Sequence, residues 1–278
     1  MRALAILLSM TAWYCGGEAQ SAPATPPGSG LPATWSPAPA MLEGRAAHAV
    51  VVADGAVYAI AGTGSDGRPV LAVERFDGRA WRHETHLPGH GLNAPAAAVI
   101  GQRIYLIGGF DTTTNVPTAQ VLVYDTHARR WSTAAPLPRP LGSPAAVVHE
   151  GALYSIGGRS GLDDFGNVWR YDAGADRWVT GAAIAARGTH GAVSTCGSVY
   201  VFGGESQPQE RVLGEVLRLD TAHDAWIELA PMPTPRNFAR AVLYGGAVWV
   251  AGGSLSPGSS HESAGSRIVE RFDPGCRP

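Results

Sequence analysis

The stretch Val199-Tyr200-Val201-Phe202-Gly203-Gly204 decides the fold, because four more copies of it follow one another along the chain. They are Val57-Tyr58-Ala59-Ile60-Ala61-Gly62, Ile104-Tyr105-Leu106-Ile107-Gly108-Gly109, Leu153-Tyr154-Ser155-Ile156-Gly157-Gly158 and Val248-Trp249-Val250-Ala251-Gly252-Gly253. The aromatic residue returns every 46 to 49 residues, a period that belongs to repeat architectures. Upstream of each copy lies an apolar run, such as Ala49-Val50-Val51-Val52 or Ala96-Ala97-Ala98-Val99. Downstream comes a segment that opens on Val and ends on Asp: Val73 to Asp77, Val121 to Asp125, Val168 to Asp172, Val216 to Asp220 and Val269 to Asp273. A tryptophan then follows in four of the five, at Trp81, Trp131, Trp178 and Trp226. Each unit thus predicts four short strands separated by Gly, Asp and Pro turns.

The composition agrees. In 278 residues, 36 Gly and 21 Pro favour many turns and few long helices, and 45% hydrophobic residues supply a core. The formal net charge is −2 and every basic residue is Arg, so the basic excess that phosphate neutralisation demands is missing and a nucleic-acid partner is not expected. Met1-Arg2 and the apolar run Ala3 to Tyr14 are too short to span a bilayer and read as a secretory signal covering residues 1–19. Lipid attachment at Cys15 and a retained anchor are the alternatives. Residues 20–34 form a Pro/Ser/Ala/Gly linker, and 35–278 the repeat domain, with no transmembrane segment expected in the mature chain.

The units resemble the kelch repeat: an apolar first strand, a Tyr-x-x-Gly-Gly second, an Asp-ending third and a Trp-starting fourth. The resemblance covers residues 35 to 273 and implies an all-β, five-bladed β-propeller, one unit per blade, where six or seven blades are more usual. In the middle repeats Trp stands six residues after Asp, and after Asp273 the chain stops short of that position. Trp35-Ser36-Pro37-Ala38-Pro39 is similar to Trp131-Ser132-Thr133-Ala134-Ala135-Pro136, so the N-terminal strand around Trp35 is expected to complete the last blade and close the ring. Cys196, at a turn after a first strand, and Cys276, after a third, would lie on one face of neighbouring blades; a disulfide and two free thiols both remain open.

Some kelch propellers are copper radical oxidases with Tyr and His ligands. Here seven tyrosines fall on repeat strands and the eighth on the leader, and the histidines show no repeated ligand spacing. No metal and no cofactor are therefore expected. In the loop leading into each blade, thirteen residues before the aromatic, repeats one, four and five carry Arg45, Arg187 and Arg236. His48 and His190 follow three residues later in two of them, and Asn237 follows Arg236 directly. Repeats two and three have Leu92 and Leu141 instead. Three guanidiniums on adjacent blades are expected either to meet an anion at the channel mouth or to bond neighbouring carbonyls.

The run Gly204-Glu205-Ser206-Gln207-Pro208-Gln209-Glu210-Arg211 is similar to one in periplasmic sialic acid mutarotases, also kelch propellers. That resemblance implies Glu205 as a catalytic base and Arg211 as a clamp for the acid group. The polar loop Ser254 to Arg267 puts His261 and Glu262 near the mouth or in a linker. The expected function is a monomeric, periplasmic or secreted module that binds a protein or glycan through one loop face. The alternative is a mutarotase of an acidic sugar.

Overall fold

The computed structural model describes residues 39–258 and 266–276. The pleat of each repeat turns its alternating residues to opposite faces, and consecutive runs pair as antiparallel strands across tight turns. Blade one is Ala49–Ala53, Ala56–Ile60, Ala72–Phe76 and Trp81–His86; blade two is Ala96–Ile100, Arg103–Ile107, Val121–Asp125 and Arg130–Ala134. Blade three is Ala145–His149, Ala152–Ser160, Asp163–Asp172 and Arg177–Thr180, and blade four is Gly191–Thr195, Ser198–Phe202, Val216–Asp220 and Ala225–Leu229. In these four sheets the strand order follows the chain from inner to outer. Blade five has three strands among the described residues, Arg240–Tyr244, Ala247–Ala251 and Val269–Phe272. The five-bladed propeller expected from the repeats is therefore what the chain forms, with no helix among the described residues.

The blades are knit together at the hub by one repeated turn. Ala47, Ala94, Ser143, Thr189 and Phe238, each eleven residues before the aromatic, all adopt positive φ between 49° and 58°. Ala94, Ser143, Thr189 and Phe238 each donate a backbone N–H to the equivalent carbonyl of the preceding blade. The second glycine of the Gly-Gly pair is needed where the blades crowd: Gly204 has φ +102°, and a Cβ there would lie 2.7 Å from the Gly188 carbonyl oxygen. The first position is less demanding, since Ala61 fills it at φ +65°.

Three of the tryptophans tie their blade to the chain at the preceding outer edge, whereas the Trp131 indole N–H has no partner among the described residues. Trp178 donates its indole N–H to the Ala135 carbonyl and Trp226 to that of Ala182, in each case four residues after the preceding tryptophan. Asp176 and Asp224, two residues before these tryptophans, accept the N–H of the same Ala135 and Ala182. Trp81 donates in the same way to the Pro39 carbonyl, which stands four residues after Trp35. Proline has no N–H to offer, and blade one correspondingly carries Arg79 where the other two carry Asp. Trp35 itself lies outside the described residues. Pro39 nevertheless occupies the acceptor position that the end of a fourth strand fills elsewhere.

Packing is uneven around the ring. Separate apolar clusters join blades one and two, two and three, three and four, and four and five. None among the described residues joins five to one. At the innermost layer the facing pairs are Ala49 with Ala97, Ala96 with Ala146, Ala145 with Ala192 and Gly191 with Ala241. The equivalent pair at the remaining junction is Arg240 with Val50. Inner strands converge toward the axis, so small residues let them close up, and larger side chains such as Arg and Val at those positions do not. Val50, Val52, Val242 and Tyr244 are accordingly 55%, 65%, 52% and 74% exposed. Among the described residues, then, four junctions are packed by apolar clusters and the fifth is a seam with exposed apolar side chains.

Candidate functional site

Arginine cannot be deprotonated cheaply, so a buried guanidinium must find acceptors. Arg45 turns into blade one, where it meets the Glu74 carboxylate at 2.5 Å and the carbonyls of Ala61 and Ala72 at 3.2 and 2.9 Å. Arg236 does the same in blade five, with Glu270 at 2.8 Å and the carbonyls of Gly252 and Ile268 at 3.2 and 2.6 Å. Arg187 bonds the Gly203 carbonyl at 3.1 Å and lies 4.0 Å from Glu215. Each guanidinium fastens the second strand of its own blade to the start of the third. The three do not converge on the channel mouth: of the two expectations for Arg45, Arg187 and Arg236, bonding to neighbouring carbonyls holds, and the anion clamp is replaced by three separate blade pins.

Glu205 and Arg211 are not brought together as a catalytic pair. They lie on a short ribbon in which Glu205–Ser206 pairs with Arg211–Val212. The Glu205 carboxylate is wholly buried and ion-pairs with Arg159 of blade three at 2.8 Å. Its other oxygen accepts from Asn237 Nδ2 at 2.5 Å and from the Gly258 N–H at 2.9 Å, both on blade five. Arg159 also faces Asp164 at 3.1 Å, and Asp164 accepts the Gln207 N–H at 2.6 Å. Burial raises the Asp164 pKa against the opposing pull of that N–H and of Arg159. Arg211 is exposed and pairs with Glu215 at 3.0 Å. The carboxylate is wholly buried, with one oxygen ion-paired to blade three and the other hydrogen-bonded to blade five. Glu205 is thus a strut across three blades, and Asn237 is its partner instead of a ligand contact.

The hub encloses a cavity of about 380 Å³, lined mostly by Ala, Pro and Gly, together with His48, His190, Ser143, Thr189, Phe238 and Arg240. His190 is buried beneath it, with its ring against Gly157. The Ile156 carbonyl lies near the ring, but no well-aligned hydrogen bond forms. Burial, then the charges of Arg187 and Arg240, lower its pKa to about 3, so it is neutral at physiological pH. His48 is shifted in the same direction by burial, Arg45 and Arg240. No carboxylate lines the cavity. His261 and Glu262 lie outside the described residues. Cys196 and Cys276 form a disulfide with Cα atoms 5.9 Å apart, tying the inner turn of blade four to the end of blade five.

The Attractin/LZTR1 beta-propeller family model matches residues 76–277. The chain belongs to this family of kelch-type propellers. Among similar curated proteins is Kelch-like protein terF of Aspergillus terreus, 27% identical over 271 residues, covering 87% of this chain and 56% of the relative. Beta-scruin of Limulus polyphemus is 25% identical over 253 residues, covering 86% of this chain and 22% of its own. Human Kelch-like protein 34 is 29% identical over 229 residues, covering 74% and 33%. The chain therefore spans about half of the first of these relatives and a third or less of the other two.

Two features of this Attractin/LZTR1-type propeller escape a reading by repeats. Arg159 and Asp164 stand on a blade-three hairpin extended past the usual Gly-Gly end, and nothing local marks them as partners of Glu205. Arg240 did leave a signal: nine residues before the aromatic, the other repeats carry Ala49, Ala96, Ala145 and Gly191.

Proposed function

We propose that this chain is an exported, non-enzymatic module that binds a protein partner across the seam between blades five and one. The carrying observation is the set of large apolar side chains left open there, Val50, Val52, Val242 and Tyr244, at the one junction without an apolar cluster among the described residues. Exposed apolar surface gathered in one place is characteristic of interaction sites. The kelch-type relatives support a binding role, and the engagement of Glu205 in blade packing removes the residue on which a mutarotase reading rested. A glycan ligand has only Tyr244 to stack on in this patch, so a protein is the better fit. Export to the periplasm or the medium is supported by the leader and by the cystine, since disulfides persist in oxidising compartments.

The test is purification of partners from the compartment where the protein accumulates, with wild type and a Val52→Asp/Val242→Asp variant side by side, followed by direct binding of the purified partner. Loss of affinity by tenfold or more in the double variant is expected. Equal affinity removes the seam from the reading, and a reduced, unprocessed protein recovered only from the cytoplasm refutes export.

A further inference from the structure

We infer that Arg240 anchors a carboxylate-binding site where the seam opens into the hub cavity. The molecule itself supplies the standard of comparison. Arg45, Arg159, Arg187 and Arg236, whose guanidiniums are buried, each have a carboxylate partner at Glu74, Asp164 with Glu205, Glu215 and Glu270 respectively. Arg240 differs from these four: it is exposed, lines the hub cavity and has neither ion pair nor hydrogen bond among the described residues, and crowding by the cavity wall lowers its pKa. Water still reaches the side chain, so the charge faces an accessible space.

The surroundings define what can enter. Among the described residues the cavity wall offers no Asp or Glu, and its two imidazoles are disfavoured as cations by burial and by the arginines near them, so the full charge there is one guanidinium. A single planar fork matches a single carboxylate, which it can bond bidentately. A phosphate dianion would need further donors, and the Ala, Pro and Gly of the wall do not supply them as side chains. The volume of about 380 Å³ lies in the range of roughly 300–1,000 Å³ for small-molecule pockets. Val50, which lines the same cavity, and Val242, two residues further along the strand of Arg240, offer exposed apolar surface, so the ligand is a carboxylate carried on a short apolar body. Such a group can arrive as a free monocarboxylic acid or as an Asp or Glu side chain presented by a partner.

The free-acid arm needs no protein partner and so is independent of the function proposed above. Butyrate, with butanamide and chloride as controls at equal ionic strength, is titrated against the full disulfide-bonded protein while its thermal midpoint and calorimetric heat are followed. Butyrate is expected to raise the midpoint and butanamide to leave it in place. Arg240→Gln should abolish the shift, and Arg240→Lys, which keeps the charge and loses the fork, should weaken binding by about tenfold. The peptide arm pans a displayed library for Arg240-dependent binders. Enrichment of Asp or Glu flanked by apolar residues, without a butyrate response, assigns the carboxylate to a partner's side chain. If butyrate and butanamide act alike and the peptides selected by wild type bind Arg240→Gln within twofold, the inference is wrong. The repeats carry Ala or Gly at this position, so the variants keep a foldable blade.

Discussion

Replacing Glu205 with Gln tests whether this carboxylate is a strut or a catalyst. The substitution keeps the shape and one acceptor oxygen, which can still serve Asn237 and Gly258. It removes the charge opposite Arg159 and points an amide N–H₂ at a guanidinium 2.8 Å away. Losing one partner of a buried ion pair costs about 3–5 kcal/mol. Two things reduce that here. Asp164 still faces Arg159 at 3.1 Å, and the neutral amide escapes the desolvation penalty of the carboxylate. A net loss of about 3 kcal/mol remains, which for a domain of this size lowers the thermal midpoint by about 6–12 °C. Arg211→Gln, at an exposed pair, should cost no more than about 1 kcal/mol. Calorimetry or urea unfolding of the two variants beside wild type reads the difference. If Glu205→Gln melted within 2 °C of wild type, or above it as a relieved active-site carboxylate would, the strut assignment would be refuted.

Three further outcomes are expected. Joint replacement of Cys196 and Cys276 by Ser frees a loop of sequence separation 80, and the chain-entropy relation sets a ceiling of about 4.5 kcal/mol on the stability lost; urea unfolding should show a loss of similar size when wild type is reduced, and no change on reduction would contradict the bond. His190 is held neutral down to about pH 3 in the folded protein, whereas the unfolded chain protonates it near its ordinary value of 6.5. The unfolded state therefore binds the extra proton between these limits, stability is full above pH 6.5, and it falls by about 2 kcal/mol on going down to pH 5. His190→Ala, the residue blade five has at this place, should flatten that slope, and parallel pH profiles for the two proteins would count against it. Gly166 allows the blade-three hairpin to pass the Ile184 carbonyl, which a Cβ would approach to 1.8 Å, so Gly166→Ala should cost about 3 kcal/mol or prevent folding; a soluble variant with an unchanged midpoint would show that the backbone yields there.

The blades were legible because their determinants are local. Period-two alternation, the aromatic of the second strand, the Asp that caps the turn after the third and the Trp that begins the fourth all lie within one repeat, and each acts through the backbone next to it. The assignment of seven tyrosines to repeat strands holds for the same reason. Arg45, Arg187 and Arg236 are equivalent by spacing, but apart from the Ala185 carbonyl bonded by Arg187 their acceptors lie 14 to 34 residues away within the blade. Spacing alone could not tell a guanidinium turned into its blade from one turned to the channel. Glu205 shows the same gap more sharply, since its partners come from blades three and five.

By itself, then, the chain determined how many wedges there are, which strand each residue joins and which face it presents, because hydrogen-bonded neighbours and the pleat set these over a few residues. The tertiary arrangement decided what meets what between wedges. It joined Cys196 to Cys276, spent Glu205 on packing, and separated two arginines only four residues apart, pinning Arg236 inside its sheet and leaving Arg240 facing an open seam. Such outcomes depend on how sheets are stacked around the axis, and a side chain's partner across that stack is set by geometry in three dimensions and not by distance along the chain.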